Sequence, residues 1–245
     1  MENELEGRIR FTCLLVRETF AAWVNEVNVS ARSAAEASAQ AKPDDIGIPP
    51  SLIIDSTCFA RQAAANLKGE FRPSILAEAC IFIVSKTNNY LLRLRTICDS
   101  GRLVEARRSG RINGTLEERM SQVLAMEMRV LTMCGFIVNR YDEQRAHRFL
   151  FVLSEIVVPQ ESRSTVLHSA WAYLNDACML DLDNERPFDI ACAGLALAAQ
   201  DASVSLPSHP IPWFEAVGAK TEAMERIAFK IYELINEWTF PQWLE

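Results

Sequence analysis

The chain has 245 residues, 49% of them hydrophobic, a formal net charge of −7 and seven cysteines. That hydrophobic content supports a folded core and excludes disorder as the overall state, while the acidic balance excludes wholesale binding to nucleic acid, which needs a positive surface. No two cysteines take the short spacing of a zinc or redox motif. They read as reduced, buried small side chains, and the three histidines lie too far apart in sequence to form a metal-binding motif.

Residues 8–27 predict an amphipathic helix, with Phe11, Leu14, Leu15, Phe20, Trp23, Val24 and Val27 in its apolar positions. Arg17 and Glu18 interrupt the apolar run, so it reads as neither a signal peptide nor a membrane span. The Ala/Ser-rich stretch Ser30–Pro43 reads as a weak helix or a flexible insertion, the insertion being favoured. Pro49-Pro50-Ser51 then opens a helix that runs to Leu67-Lys68-Gly69.

Pro73 begins a core helix through Lys86, because proline is tolerated in a first helical turn and Ile75, Leu76, Ala79, Cys80, Ile83 and Val84 repeat at helical spacing. Between Arg93 and Arg111 six arginines face only Asp99 and Glu105, a local net charge of about +4. From Thr115 a long helix runs to Cys134 and is stopped by Gly135, with Met120, Val123, Leu124, Leu131 and Cys134 on its apolar stripe. Glu127 falls on that stripe, where a carboxylate is costly unless it is paired.

After Tyr141 the pattern starts again. Helices are predicted at about 142–156, 163–180, 187–201 and 220–238, with breaks at Val158-Pro159, Arg186-Pro187 and Leu206–Pro212. Phe188–Gln200 is built from small residues, which let neighbouring helices approach closely, so it predicts a buried central helix. Its counterpart in the first half is Pro73–Lys86, and the two half-chains read as an internal duplication.

Four stretches carry a family resemblance: Ile75–Lys86, Val123–Phe136, Ser169–Asp176, and Ile190–Ala199 followed by Leu206-Pro207 and Pro212-Trp213-Phe214. Together they resemble the cyclin family, in its transcriptional branch, with cyclin L nearest and cyclins K and T next. The resemblance implies an all-α fold of tandem five-helix cyclin boxes with an extra N-terminal helix. It divides the chain into 1–45 (N-terminal helix and insertion), 46–139 (first box) and 140–240 (second box).

It also implies a site. Lys86 and Glu127 match the family's lysine–glutamate pair, which hydrogen-bonds the backbone of a partner kinase. Phe82, Asn88, Asn89 and Leu131 are expected to add further kinase contacts around that pair. The family follows its lysine with two acidic residues, whereas Thr87-Asn88-Asn89 stands here. Read without the resemblance, Lys86 is a C-terminal cation favoured by the helix dipole, and Glu127 is a carboxylate held by Arg129 or Arg119. Arg93, Arg95, Arg102, Arg107, Arg108 and Arg111 are either a solvated helix and loop or a contact for phosphate or an acidic partner, since arginine grips both with a forked donor set.

No phosphate-binding glycine loop, nucleophile elbow or helical zinc-protease motif occurs, so an enzyme is not expected. The role the resemblance implies is a kinase-activating subunit without cofactor, acting in RNA polymerase II transcription and pre-mRNA processing, in the nucleus with the cytoplasm as a second location. Its partner is a cyclin-dependent protein kinase catalytic subunit, with a further assembly protein as a second candidate, no membrane, and nucleic acid only through the Arg93–Arg111 segment. Alternatives are a cell-cycle cyclin, a general-transcription-factor-like cyclin fold and a kinase-independent helical adaptor.

Overall fold

The computed structural model describes residues 2–37, 48–90, 92–138 and 146–238, and all secondary structure among them is helical. The chain divides into two compact units, 1–139 and 140–245.

The first unit contains α1 (Glu2–Ala37), α2 (Pro50–Asn66), α3 (Pro73–Thr87), α4 (Leu94–Ser109) and α5 (Leu116–Met133). α3 is central and packs against all four others. Ile75, Leu76, Ala79, Cys80, Ile83 and Val84 are each 3% exposed or less, so the apolar periodicity of this segment is its burial pattern. Cys98, Leu116 and Val123 complete one layer of core with Ile75 and Ala79.

Local chemistry sets the ends of these helices. Pro73 occupies the first turn of α3, where a missing N–H costs nothing. Gly110 closes α4 in the left-handed region at φ +67°. α5 opens on a capping box: the Glu118 N–H donates to Thr115 Oγ1 at 3.2 Å, and Glu118 Oε2 accepts the Thr115 N–H at 2.9 Å.

The N-terminal helix differs from expectation in two ways. It packs against α2, α3 and α4, so it is an integral member of the first bundle. It also continues past Val27 to Ala37, through the residues read as an insertion. Alanine is the best helix former, and neither Gly nor Pro intervenes before Pro43 to stop the helix. Residues 38–43, the rest of that expected insertion, lie outside the described residues.

The second unit contains α6 (His147–Val157), α7 (Arg163–Ala177), α8 (Pro187–Asp201), the short α9 (Trp213–Ala216) and α10 (Thr221–Trp238). α8 is central and packs against α6, α7 and α10. Its small residues let α7 close in: a Cβ added to Gly194 would stand 2.7 Å from Leu174 Cδ2. Buried Asp189 ties the start of α8 to the start of α10, accepting from Arg186 Nε at 2.7 Å and from the Lys220 N–H at 3.0 Å. The one-turn helix α9 falls just after the Leu206–Pro212 break and was not anticipated from sequence.

Candidate functional site

The site is built where the C-terminal turn of α3 meets α5. Lys86 Nζ donates to Glu127 Oε1, and the same ammonium sits 4.1 Å from the centroid of the Phe82 ring, one turn back on α3. The Lys86 side chain is 41% exposed and that of Glu127 is 11% exposed. The glutamate is thus nearly sunk in its stripe between buried Val123 and Val130, and the lysine reaches down to it from the surface. Arg119 and Arg129, the other candidate partners of Glu127, pair instead with Glu78 and Glu70.

The surround is apolar. On α5, Leu124 is 45% and Met128 59% exposed, flanking Glu127, while Leu131 one turn on is half-buried. One Lys86 proton is used on Glu127. An ammonium carries three, and a carboxylate two oxygens, so the pair retains both donor and acceptor capacity at a surface with a hydrophobic margin.

Asn88 and Asn89 take separate roles. Asn88 caps α3, and its Nδ2 donates to Asp55 Oδ2 on α2 at 2.9 Å. Asn89 sits at φ +56°, a left-handed conformation that asparagine tolerates better than most side chains. The Tyr90 N–H then reaches back to the Ser85 carbonyl at 2.8 Å and closes the turn. Both asparagines are exposed beside Lys86.

The arginine segment does not form a single patch. Arg93 and Arg95 stand exposed at the start of α4, with Arg95 3.9 Å from Asp99. Arg102 is half-buried, and Arg107 and Arg111 are exposed at the far end. Twelve residues of helix put Arg95 and Arg107 roughly 18 Å apart along the axis. Arg108 turns inward: its Nε donates to Glu18 Oε2 on α1 at 2.7 Å, and its guanidinium lies 5.2 Å from the Phe11 ring centroid.

Sequence reasoning missed the network that holds α3 against α5. Arg119 Nε donates to Glu78 Oε1 and Oε2 at 2.9 and 3.0 Å, and both side chains are 3% exposed or less. Arg119 Nη1 also donates to Glu105, which accepts from Arg72 and Asn113 at 2.8 Å each. Burial pushes the Glu78 carboxyl above its usual range in spite of Arg119. Glu105 is less enclosed; burial would raise it, but Arg119 and Asn113 outweigh that and hold it low.

A signal for this network was available. Glu78–Arg119 and Lys86–Glu127 are both 41 residues apart in sequence. Two cross-links of equal separation mean that α3 and α5 run parallel, with the pairs about 12 Å apart along the axis. The charges are exchanged between the pairs: glutamate then lysine on α3, arginine then glutamate on α5.

No family model matches the chain. It is 33% identical over 120 residues to the cyclin L homolog cyl-1 of Caenorhabditis elegans, covering 48% of this chain and 24% of that protein. It is 28% identical over 166 residues to Cyclin-L2 of Mus musculus and over 167 residues to Cyclin-L1 of Homo sapiens, in each case 65% of this chain and 31% of the relative. The matched part thus spans a quarter to a third of these relatives' length. A chain in the crystal structure of the yeast RNA Pol II CTD kinase CTDK-1 complex superposes with a TM-score of 0.54 at 15% identity, covering 91% of this chain and 69% of that one.

Proposed function

Because the chain is a divergent relative of the L-type cyclins, we propose that it is the regulatory subunit of a cyclin-dependent protein kinase, acting in the nucleus in RNA polymerase II transcription and pre-mRNA processing. The observation that carries this reading is the Lys86–Glu127 pair, set by α3 and α5 at an exposed edge with Leu124 and Met128 beside it. Such a subunit performs no chemistry. It braces a mobile helix of the kinase so that the kinase's own Lys–Glu pair closes and its activation loop stays open. A rigid apolar surface with one charged donor–acceptor pair is suited to that task, since the apolar margin supplies contact and the pair fixes register.

The cell-division reading is less well supported. It calls for an open substrate-docking patch along Arg17–Trp23, whereas Thr19, Phe20 and Ala22 are buried there and only Ala21 is exposed.

The test is to purify the tagged protein from its own cells and identify what co-elutes in stoichiometric amount. A kinase is expected, with substrates among the transcription and splicing machinery, and charge reversal at Lys86 and Glu127 should release it while the melting transition survives. Elution without a kinase would leave a helical adaptor and overturn the reading.

A further inference from the structure

Between α1 and α4 lies a cavity of about 280 Å³, with Phe11, Leu15 and Val104 on its apolar wall and Arg72, Arg108 and Ser109 among its polar residues. Ser109 is the last residue of α4 and is exposed, and residues 110–115 beyond it are exposed and without helix. Its hydroxyl lies 2.9 Å from the Glu105 carbonyl and 3.0 Å from that of Arg111, and it accepts the Arg111 N–H at 3.3 Å. Arg107 and Arg108 precede it directly and Arg111 follows two residues on. An accessible serine at a helix end, flanked by Arg107, Arg108 and Arg111, offers the cationic surround that an acidic kinase groove can pair with.

We propose that Ser109 is a phosphorylation site, modified by an arginine-directed serine/threonine kinase, and that the phosphate draws Arg108 away from Glu18 and so loosens α1 from α4. In the reaction a bond forms between Ser109 Oγ and the γ-phosphorus of a nucleoside triphosphate, the bond from that phosphorus to the nucleoside diphosphate breaks, and the hydroxyl proton passes to the modifying enzyme's base. Three consequences follow from the geometry. The hydroxyl can no longer donate to the Glu105 carbonyl, which removes a tie in the last turn of α4. A charge of about −1.5 to −2 is placed at a helix C-terminus, the end that disfavours it. That charge is adjacent to Arg108 and greater than the single charge of Glu18, so the guanidinium fork exchanges one carboxylate for a phosphate. The inference is independent of which partner the Lys86 edge engages.

The experiment uses the full chain, ATP and the purified catalytic subunit of the cyclic-AMP-dependent kinase as the arginine-directed probe, with phosphopeptide mapping. Phosphate is expected on Ser109, absent in Ser109→Ala, and incorporated roughly tenfold more slowly in Arg107→Gln, the loss of one charge-assisted contact to the modifying enzyme. Hydrogen exchange of α1 amides around Phe11–Thr19 should rise on phosphorylation of the native chain, but show no further rise in Glu18→Gln, where the ion pair is already lost. An unmodified Ser109 overturns the site. A modified Ser109 with unchanged exchange in α1 overturns the release of Arg108.

Discussion

Arg119→Ala tests the central packing argument directly. The substitution removes every guanidinium contact to Glu78, which is 1% exposed, and one of the three donors to Glu105, which keeps Arg72 and Asn113. Almost all of the damage therefore falls on Glu78. Stranding a buried carboxylate costs about 3–5 kcal/mol. The group can limit that cost by taking up a proton. Its ordinary pKa is 4.5, so protonating it at pH 7 costs about 3.4 kcal/mol, and at pH 5 about 0.7 kcal/mol. The sign is fixed by the direction of the shift. Burial already raises the carboxyl in the folded chain and Arg119 opposes that rise, so removing Arg119 raises it further; the added loss is absent below the ordinary pKa and grows as pH climbs above it. Urea unfolding followed by circular dichroism should show Arg119→Ala weakened by about 3 kcal/mol at pH 7 and by about 1 kcal/mol at pH 5, apart from lost packing. A loss below about 1 kcal/mol at pH 7, or one that does not shrink on acidification, would refute the argument that the buried charge is what matters.

Lys86→Ala should cost about 1–2 kcal/mol, less than Arg119→Ala because the lysine is 41% exposed, but more than a surface pair because it leaves the 11% exposed Glu127 carboxylate without its partner; kinase capture, read by pull-down, should fall with the fold intact. Gly101→Ala should cost about 1–3 kcal/mol in the same urea assay, since the new Cβ would lie 2.0 Å from Glu78 Oε1, a carboxylate that Arg119 holds in place. Asp189 predicts an acid-sensitive second unit. Burial would raise its carboxyl, but Arg186 and the Lys220 N–H outweigh that and hold it below the usual range. Its contribution is therefore present above the unfolded pKa and lost as pH falls through the lower folded one. Asp189→Asn should flatten that acid limb in a pH series of thermal melts.

Much of the helical framework was legible because the informative patterns are local. The Pro73 start, the apolar repeat of α3, the capping box at Thr115 and the small residues of α8 each act within a few residues of themselves. What failed was non-local, or depended on reading a neutral stretch. Ser30–Ala37 carries no apolar stripe to mark it as helical, yet it contains nothing to stop a helix already under way. Arg108 looked like one more solvated cation, since its partner Glu18 is 90 residues away. Asn88 and Asn89 are read from sequence as contact residues, a reading their exposure leaves open, and what the sequence did not show is their capping and left-handed turn, which need Asp55 and Ser85 in place. Glu127 was noticed because a lone acid on an oily stripe demands a partner. Glu78 makes the same demand from an even more apolar helix, and its equal separation from Arg119 was there to be counted.

The exchanged polarity of the two ties between α3 and α5 has a consequence for how the chain finds its fold. If α5 slid by two turns during collapse, Glu127 would meet Glu78; slid the other way, Arg119 would meet Lys86. The first error sets two carboxylates together at buried Glu78, and the second sets two cations together at the Lys86 edge. The oily surfaces bring these helices together, and the alternating signs reject the wrong alignments.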